Sequence, residues 1–274
     1  STLAGALAAA KIHIPVVHIE AGLRSYNKSM PEEINRITCD HCSTLLFSPT
    51  NQGISNLVKE GFSTTIHSKA YIDHPLVFKT GDIMFDNSMY FSSIANEKQG
   101  LVEKLQLTPG EFILCTIHRD SNTDKPEHLN QIIRGLLQIQ QISNQVLVLP
   151  LHPRTRKKMT ELLEPAVAEE LQDNSKIQVI DPAGFLDMIS LESRCSMVIT
   201  DSGGVQKEAF FFKKPCIILR EQTEWVEIVE NGNALLVGSN EEKLIEAYNQ
   251  LTTKKDYTYP PFFGDGHASE EICR

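Results

Sequence analysis

A chain of 274 residues can bury a substantial core and suits two domains, since single domains cluster near ~100–150 residues. Its 41% hydrophobic and 22% charged residues are ordinary for a globular protein, and a formal charge of −9 speaks against nucleic acid or an anionic membrane as partner, because both demand a basic surface. No run of ~20 apolar residues occurs, and six scattered cysteines lack the spacing of a disulfide framework, so a reducing, cytoplasmic setting is expected.

In chain order, the small residues at 3–10 suit a helix packed closely on a sheet, and without a basic leader they are not a signal peptide. With no initiator Met, the chain is expected to enter in the middle of an α/β unit of a longer protein. Short β-branched runs predict strands at 15–19, 44–47, 112–117, 146–150, 177–180, 197–200 and 216–219. Helical periodicities lie between them, for example at 129–140 and 205–212. The alternation predicts parallel sheets with helices on both faces. A boundary is expected near 80–86, dividing a partial domain at 1–85 from a complete one at 86–266, with a helix start at 267–274 that can return to the first domain.

Polar residues gather where these strands end, and in open parallel sheets that is where ligands bind. Glu20 ends the first strand. Glu32 and Glu33 follow Pro31 in the first turn of a helix, where acidic residues simply complement the helix dipole. His118-Arg119 follows the strand at 112–117 and offers a proton-transfer group beside a phosphate partner. His152-Pro153-Arg154 and Arg220 close other strands, and Phe185 either packs against a nucleobase or belongs to the core. The strand at 197–200 runs into Asp201-Ser202-Gly203-Gly204 and a helix bearing Glu208. Glycines there allow close backbone approach, the helix start favours a diphosphate, and Glu208 can receive ribose hydroxyls. Cys39-Asp40-His41-Cys42 has no second ligand pair, so no metal is expected from it. A G-x-G-x-x-G dinucleotide fingerprint is also missing from the residues given.

Taken together, His18-Ile19-Glu20-Ala21-Gly22-Leu23-Arg24, Met30-Pro31-Glu32-Glu33-Ile34-Asn35-Arg36, Thr116-Ile117-His118-Arg119, His152-Pro153, Asp201-Ser202-Gly203-Gly204-Val205-Gln206-Lys207-Glu208 and Gly264-Asp265-Gly266 resemble, in order, the non-hydrolysing UDP-N-acetylglucosamine 2-epimerase family. The resemblance implies an α/β fold of two Rossmann-like domains facing a cleft, glycosyltransferase-B-like, the N-terminal one only partly present. It implies inversion at C2 by elimination of UDP to a 2-acetamidoglucal and re-addition, with no cofactor and no metal. It assigns catalysis to Glu20, Glu32 and His118, and substrate binding to Arg119, His152, Phe185, Ser202, Gly203, Gly204, Glu208 and Arg220. A UDP-sugar is the expected partner, in a homodimer, with neither nucleic acid nor membrane. The family's G-T-R-P-E and Gly-Asp-Thr turns would precede Ser1, so the chain as given is expected to be catalytically incomplete. A long loop at 63–76 and Thr223-Glu224-Trp225-Val226-Glu227 are similar to the branch acting on UDP-diacetamido-glucuronate or UDP-N-acetyl-fucosamine. A UDP-sugar glycosyltransferase and a UDP-binding fragment without turnover are the alternatives.

Overall fold

The structure, a computed structural model, describes residues 2–97 and 100–274. It divides into two compact units, residues 1–87 with 260–274 and residues 88–259.

The first unit contains helix α1 (Thr2–Lys11), strand β1 (Val17–Ile19), α2 (Pro31–His41), β2 (Leu45–Ser48), α3 (Asn51–Lys59) and β3 (Leu76–Lys79). Helix α4 (Ile83–Glu97) begins in this unit and runs into the second. The strands form a parallel sheet in the order β1-β2-β3. Ala21, Leu46, Leu57 and Val77 form a core cluster beneath it, with Ile54 and Phe62 packed against them. Two glycines set the closest approach. Gly22 has φ +81, and a Cβ built on it would lie 2.3 Å from the carbonyl oxygen of Gly53. The loop after β1 can therefore rest on α3 only without a side chain there.

The second unit continues with α5 (Leu101–Lys104), β4 (Phe112–Thr116), α6 (Asp120–Thr123), α7 (Pro126–Ser143), β5 (Val146–Pro150), α8 (Pro153–Leu162), α9 (Pro165–Asp173) and β6 (Ile177–Ile180). It closes with α10 (Phe185–Arg194), β7 (Met197–Thr200), α11 (Gly203–Phe211), β8 (Cys216–Ile218), α12 (Val226–Glu230), β9 (Ala234–Leu236) and α13 (Glu241–Thr253). Its six-stranded sheet is parallel, in the order β6-β5-β4-β7-β8-β9. The chain starts in the middle, builds outward through β5 and β6, then crosses to β7 on the other side of β4. The gap between the ends of β4 and β7 is thus a topological switch point, where sheets of this kind bind ligands.

Helix α7 shows how sequence sets this packing. Pro126 starts it, and Asn144 ends it in a left-handed conformation at φ 57. Leu129, Ile132, Ile133, Leu136 and Leu137 bury one face against the sheet cluster that includes Ile113, Leu147 and Ile199. At ~1.5–3 kcal/mol per fully buried aliphatic side chain, this face is the helix's main source of stability.

Two strands, β3 and β9, lie outside those the sequence pattern predicts. The C-terminal seam also differs from the expected 266/267 position. Residues 260–266 group with the first unit, where the Asp82 amide donates to the carbonyl of Phe263 at 2.9 Å. Gly81 and Gly264, both at positive φ, touch across that contact. Helix α14 (Ala268–Cys273) follows, its first amides held by the Asp86 carboxylate at 3.2 and 2.7 Å. Sequence periodicity carries no trace of such a long-range cap. No helix among the described residues is long and apolar enough to cross a membrane.

Candidate active site

In the second unit the switch point is organised around Asp201, the residue after β7. Thr116 and Thr200 meet across β4 and β7 at 2.6 Å between their hydroxyls. The Asp201 side chain is fully buried, 0% exposed. It accepts from the amides of His118, at 3.0 and 3.1 Å, and of Arg119, at 2.9 Å. It also accepts from Asn122 Nδ2 at 3.1 Å and faces His118 Nδ1 at 3.0 Å. Burial raises its pKa, but the His118 ring and the two amides outweigh burial and hold it below the ordinary carboxylate range. The loop carrying His118 and Arg119 is thereby fastened to the start of the Ser-Gly-Gly turn. His118 keeps half of its side-chain surface open, and Arg119 Nε donates to the carbonyl of Asp201 at 3.0 Å.

Ser202 caps α11, yet its hydroxyl accepts from the Val205 amide only at 3.5 Å. That weak cap leaves acceptor and donor capacity at a helix start, where an anion is favoured. A Cβ built on Gly203 would lie 3.7 Å from Arg220 Nη1 and 3.8 Å from Glu224 Oε2 and Trp225 Nε1. The glycine therefore faces a cluster of charge. Arg220 is buried and forms a two-pronged pair with Glu224, at 2.9 and 3.1 Å. Lys207 is buried too, with its ammonium 4.3 Å from the centroid of the Trp225 ring.

A cavity of about 410 Å³ opens beside this loop, lined by Thr116, His118, His152, Arg154, Pro182 and Met188 among others. His152 caps α8, its Nδ1 accepting from the Arg154 amide at 3.3 Å. That bond leaves the Nε2 proton to donate outward. Arg154 pairs with Asp120 at 2.5 Å and Asp124 at 2.8 Å, so it braces α6. Phe185 opens α10, 54% exposed, edge-on to Phe91 with ring centroids 5.3 Å apart. It is therefore not a core residue. Glu208 is half-buried one turn into α11, and Glu192 is buried beside it. Burial, then the Glu208 charge, push the Glu192 carboxyl well above its ordinary pKa.

In the first unit Glu20 follows β1 with a positive φ of 67, half-buried. A non-glycine residue there is strained, which is common at functional positions. The two acids of α2 separate cleanly. Glu32 is exposed, whereas Glu33 is buried and accepts from Ser25 N at 2.9 Å, Ser25 Oγ at 3.0 Å and Tyr26 N at 2.8 Å. The neighbouring Arg24 lies buried between Asp40 at 2.7 Å and Glu60 at 2.6 Å, and Asp40 also holds His18 at 2.6 Å. Burial works against the Arg24 charge, but Glu60 and Asp40 outweigh it and raise its pKa. Together these contacts fix the loop that carries Glu20. Cys39 and Cys42 are free thiols, and among the described residues no group of His, Cys, Asp or Glu is arranged to hold a metal ion.

Sequence reasoning assigned no role to Asp201, Asp40 or Glu192. Their partners lie far along the chain, and only the position of Asp201 just after a strand could have marked it.

Known proteins repeat this architecture. The family model described as UDP-N-acetylglucosamine 2-epimerase matches residues 1–274. The UDP-2,3-diacetamido-2,3-dideoxy-D-glucuronate 2-epimerase of Pseudomonas aeruginosa is 46% identical over 273 residues, covering 100% of this chain and 71% of that protein. The UDP-N-acetylglucosamine 2-epimerase of Methanocaldococcus jannaschii is 40% identical over 276 residues, covering 100% and 72%. The crystal structure of the Methanocaldococcus jannaschii enzyme with UDP-GlcNAc and UDP superposes with a TM-score of 0.86 at 38% identity, covering 100% of this chain and 72% of that one. A UDP-forming trehalose-phosphate synthase from Burkholderia xenovorans, 11% identical with a TM-score of 0.52 and covering 92% of this chain and 64% of that one, shares the fold alone. The parallel α/β architecture is glycosyltransferase-B-like. With a family match along its full length and relatives at 46% and 40% identity, this chain belongs to the UDP-N-acetylglucosamine 2-epimerase family.

Proposed function

We propose that the chain is a non-hydrolysing 2-epimerase of a UDP-2-acetamido sugar, with UDP-N-acetylglucosamine as substrate. The observation that carries this reading is the shared anchor at Asp201, which holds a proton-transfer group, His118, beside an anion-favouring helix start at Ser202–Gly203. UDP would lie on that start, with Gly204, Arg119, His152 and Arg220 as phosphate partners, Phe185 against the base and Glu208 on the ribose. A base removes the C2 proton while the C1–O bond breaks, its electron pair leaving with UDP and the C–H pair forming the C1=C2 bond of a 2-acetamidoglucal. Donors at the helix start stabilise the departing diphosphate. Re-addition of UDP at C1, with a proton delivered to the opposite face of C2, gives the epimer. Glu20, Glu32 and His118 share these proton transfers.

The test is turnover of UDP-N-acetylglucosamine in heavy water, followed by NMR. The expected product is the C2 epimer carrying deuterium at C2. Sugar transfer to an acceptor without exchange would make it a glycosyltransferase, and UDP binding without exchange a binding protein; either outcome overturns the proposal.

A second substrate, UDP-2,3-diacetamido-glucuronate, is favoured by the 46% identity with the Pseudomonas aeruginosa enzyme named for it. Comparing kcat/KM for the two sugars decides between them. The same reading places the protein in the cytoplasm as a homodimer. Free thiols throughout suit a reducing compartment, and sedimentation equilibrium measures the assembly.

A further inference from the structure

We infer that Asp201 is a positioning residue for catalysis, fixing His118 with its proton on Nδ1 and presenting Nε2 as the atom that exchanges a proton with substrate. The inference rests on the proposed epimerase chemistry, but its geometry stands independently. Asp201 follows β7, whereas His118 follows β4, and the two residues are 83 apart in sequence. The carboxylate is inaccessible and takes hydrogen bonds from the His118 and Arg119 amides, the Asn122 amide and the His118 ring.

Asn122 Nδ2 also donates to the carbonyl of Leu219 at 2.9 Å, just beyond β8. The carboxylate therefore cannot swing away without freeing the donors of the segment after β4, including buried Asn122, which also ties that segment to the end of β8. An ionised carboxylate only accepts, so the Nδ1 it faces at 3.0 Å must carry the hydrogen. The ring's other nitrogen is then a bare acceptor. Half of the His118 side chain is open, and the residue lines the cavity that His152 also borders. His152 has the opposite arrangement, with Nδ1 accepting and the Nε2 proton free to donate. The two imidazoles on neighbouring strand ends are thus set in complementary tautomers, one to take a proton and one to donate a hydrogen bond.

A merely structural Asp201 would hold the loop through the two amides and leave the ring's tautomer unspecified. The distinguishing experiment labels histidine with ¹⁵N in the whole protein and reads ring tautomers by long-range ¹H–¹⁵N correlation at pH about 8.5, where ordinary imidazoles are neutral. The His118 signals are assigned by their loss in His118→Gln. The parent is expected to show Nδ1 protonated and Nε2 bare. Asp201→Asn keeps the shape but presents an amide to the ring, which should move the proton to Nε2.

In that variant kcat for C2 exchange should fall by about 10²–10⁴-fold with KM nearly unchanged, the signature of a wrong tautomer rather than a lost contact. A parent His118 protonated on Nε2 overturns the inference even if Asp201→Asn fails to fold. So does a folded Asp201→Asn that exchanges at the parental rate. Failure of the function reading looks different: the parent would show the Nδ1 tautomer yet no deuterium at C2.

Discussion

Glu192 lies in the last turns of α10, buried, with Oε2 lacking a hydrogen-bond partner among the described residues and the Glu208 charge beside it. Its folded pKa is raised, so the native state keeps a proton that the unfolded chain releases above ~4.3. Stability therefore falls as pH rises from that unfolded value through the folded one. Glu192→Gln removes the titration while keeping the shape. Relative to the parent, it should gain stability steadily as pH is raised above ~4.3, read from urea melts at several pH values. An unchanged pH slope would mean that Glu192 is ionised in the fold. Gly203 supports a prediction of the opposite kind. A Cβ there meets its nearest neighbours at ordinary contact distance, 3.7 Å, so Gly203→Ala should fold with stability unchanged or higher by about 0.5–1 kcal/mol. The added methyl would occupy the surface on which a diphosphate must rest, so UDP affinity measured by calorimetry should drop. At this scale the sequence shows which residues end strands, because strand ends follow hydrophobic runs. It cannot show that Asp201 and His118, just after β7 and β4, share one anchor, since that depends on strand order.

Helix α2 begins with two adjacent acids whose roles differ through geometry alone. Glu33 turns inward and ties Ser25 and Tyr26 to the helix start; Glu32 turns outward. Glu33→Ala should cost at least about 3 kcal/mol in a denaturant melt, because it removes three charge-assisted bonds of roughly 1.5–3 kcal/mol each, not fully additive, and leaves buried donors unpaired. Glu32→Gln should cost only ~0.3–1 kcal/mol, the loss of a helix-dipole interaction, while lowering C2 exchange about 10²–10⁴-fold if its carboxylate transfers the proton. Exchange at the parental rate would remove Glu32 from the chemistry. The same contrast explains what was legible in the elements. Strands β5, β6 and β7 stand at the bounds their apolar runs predict, since each run is apolar or β-branched and flanked by turn residues, though only β5 and β7 are largely buried. Strand β1 is shorter than expected because Pro15 precedes it and pairing begins only at Val16, whose carbonyl receives the Thr44 amide at 2.8 Å. Which of Glu32 and Glu33 faced inward was not legible, because adjacent residues in a first helical turn differ by rotation, not composition.

The two units differ in how deeply their sheets are buried. In the second, Leu114 of β4 and Val198 and Ile199 of β7 are each 0% exposed, between helices on both faces. In the first, β1 leaves Val17 51% and Ile19 39% exposed. Local opening free energy follows buried apolar contact, so amide exchange should be slowest in β4 and β7 and markedly faster in β1. Ligand linkage sharpens this into a test of where UDP binds. A ligand that binds only the folded form stabilises it by RT ln(1 + [L]/Kd), about 2.7 kcal/mol at a hundredfold excess over Kd. Amides of β4, β7 and α11 that exchange through opening of the second unit should then slow about 100-fold in saturating UDP. Those of β1 and β2 should slow far less if the proposed contacts to Ser202, Gly203, Gly204 and Glu208 carry the nucleotide. Equal slowing in both sheets would show that the units open as one, and slowing confined to β1 and β2 would place UDP on the first unit and remove the switch point of the larger sheet from the binding site.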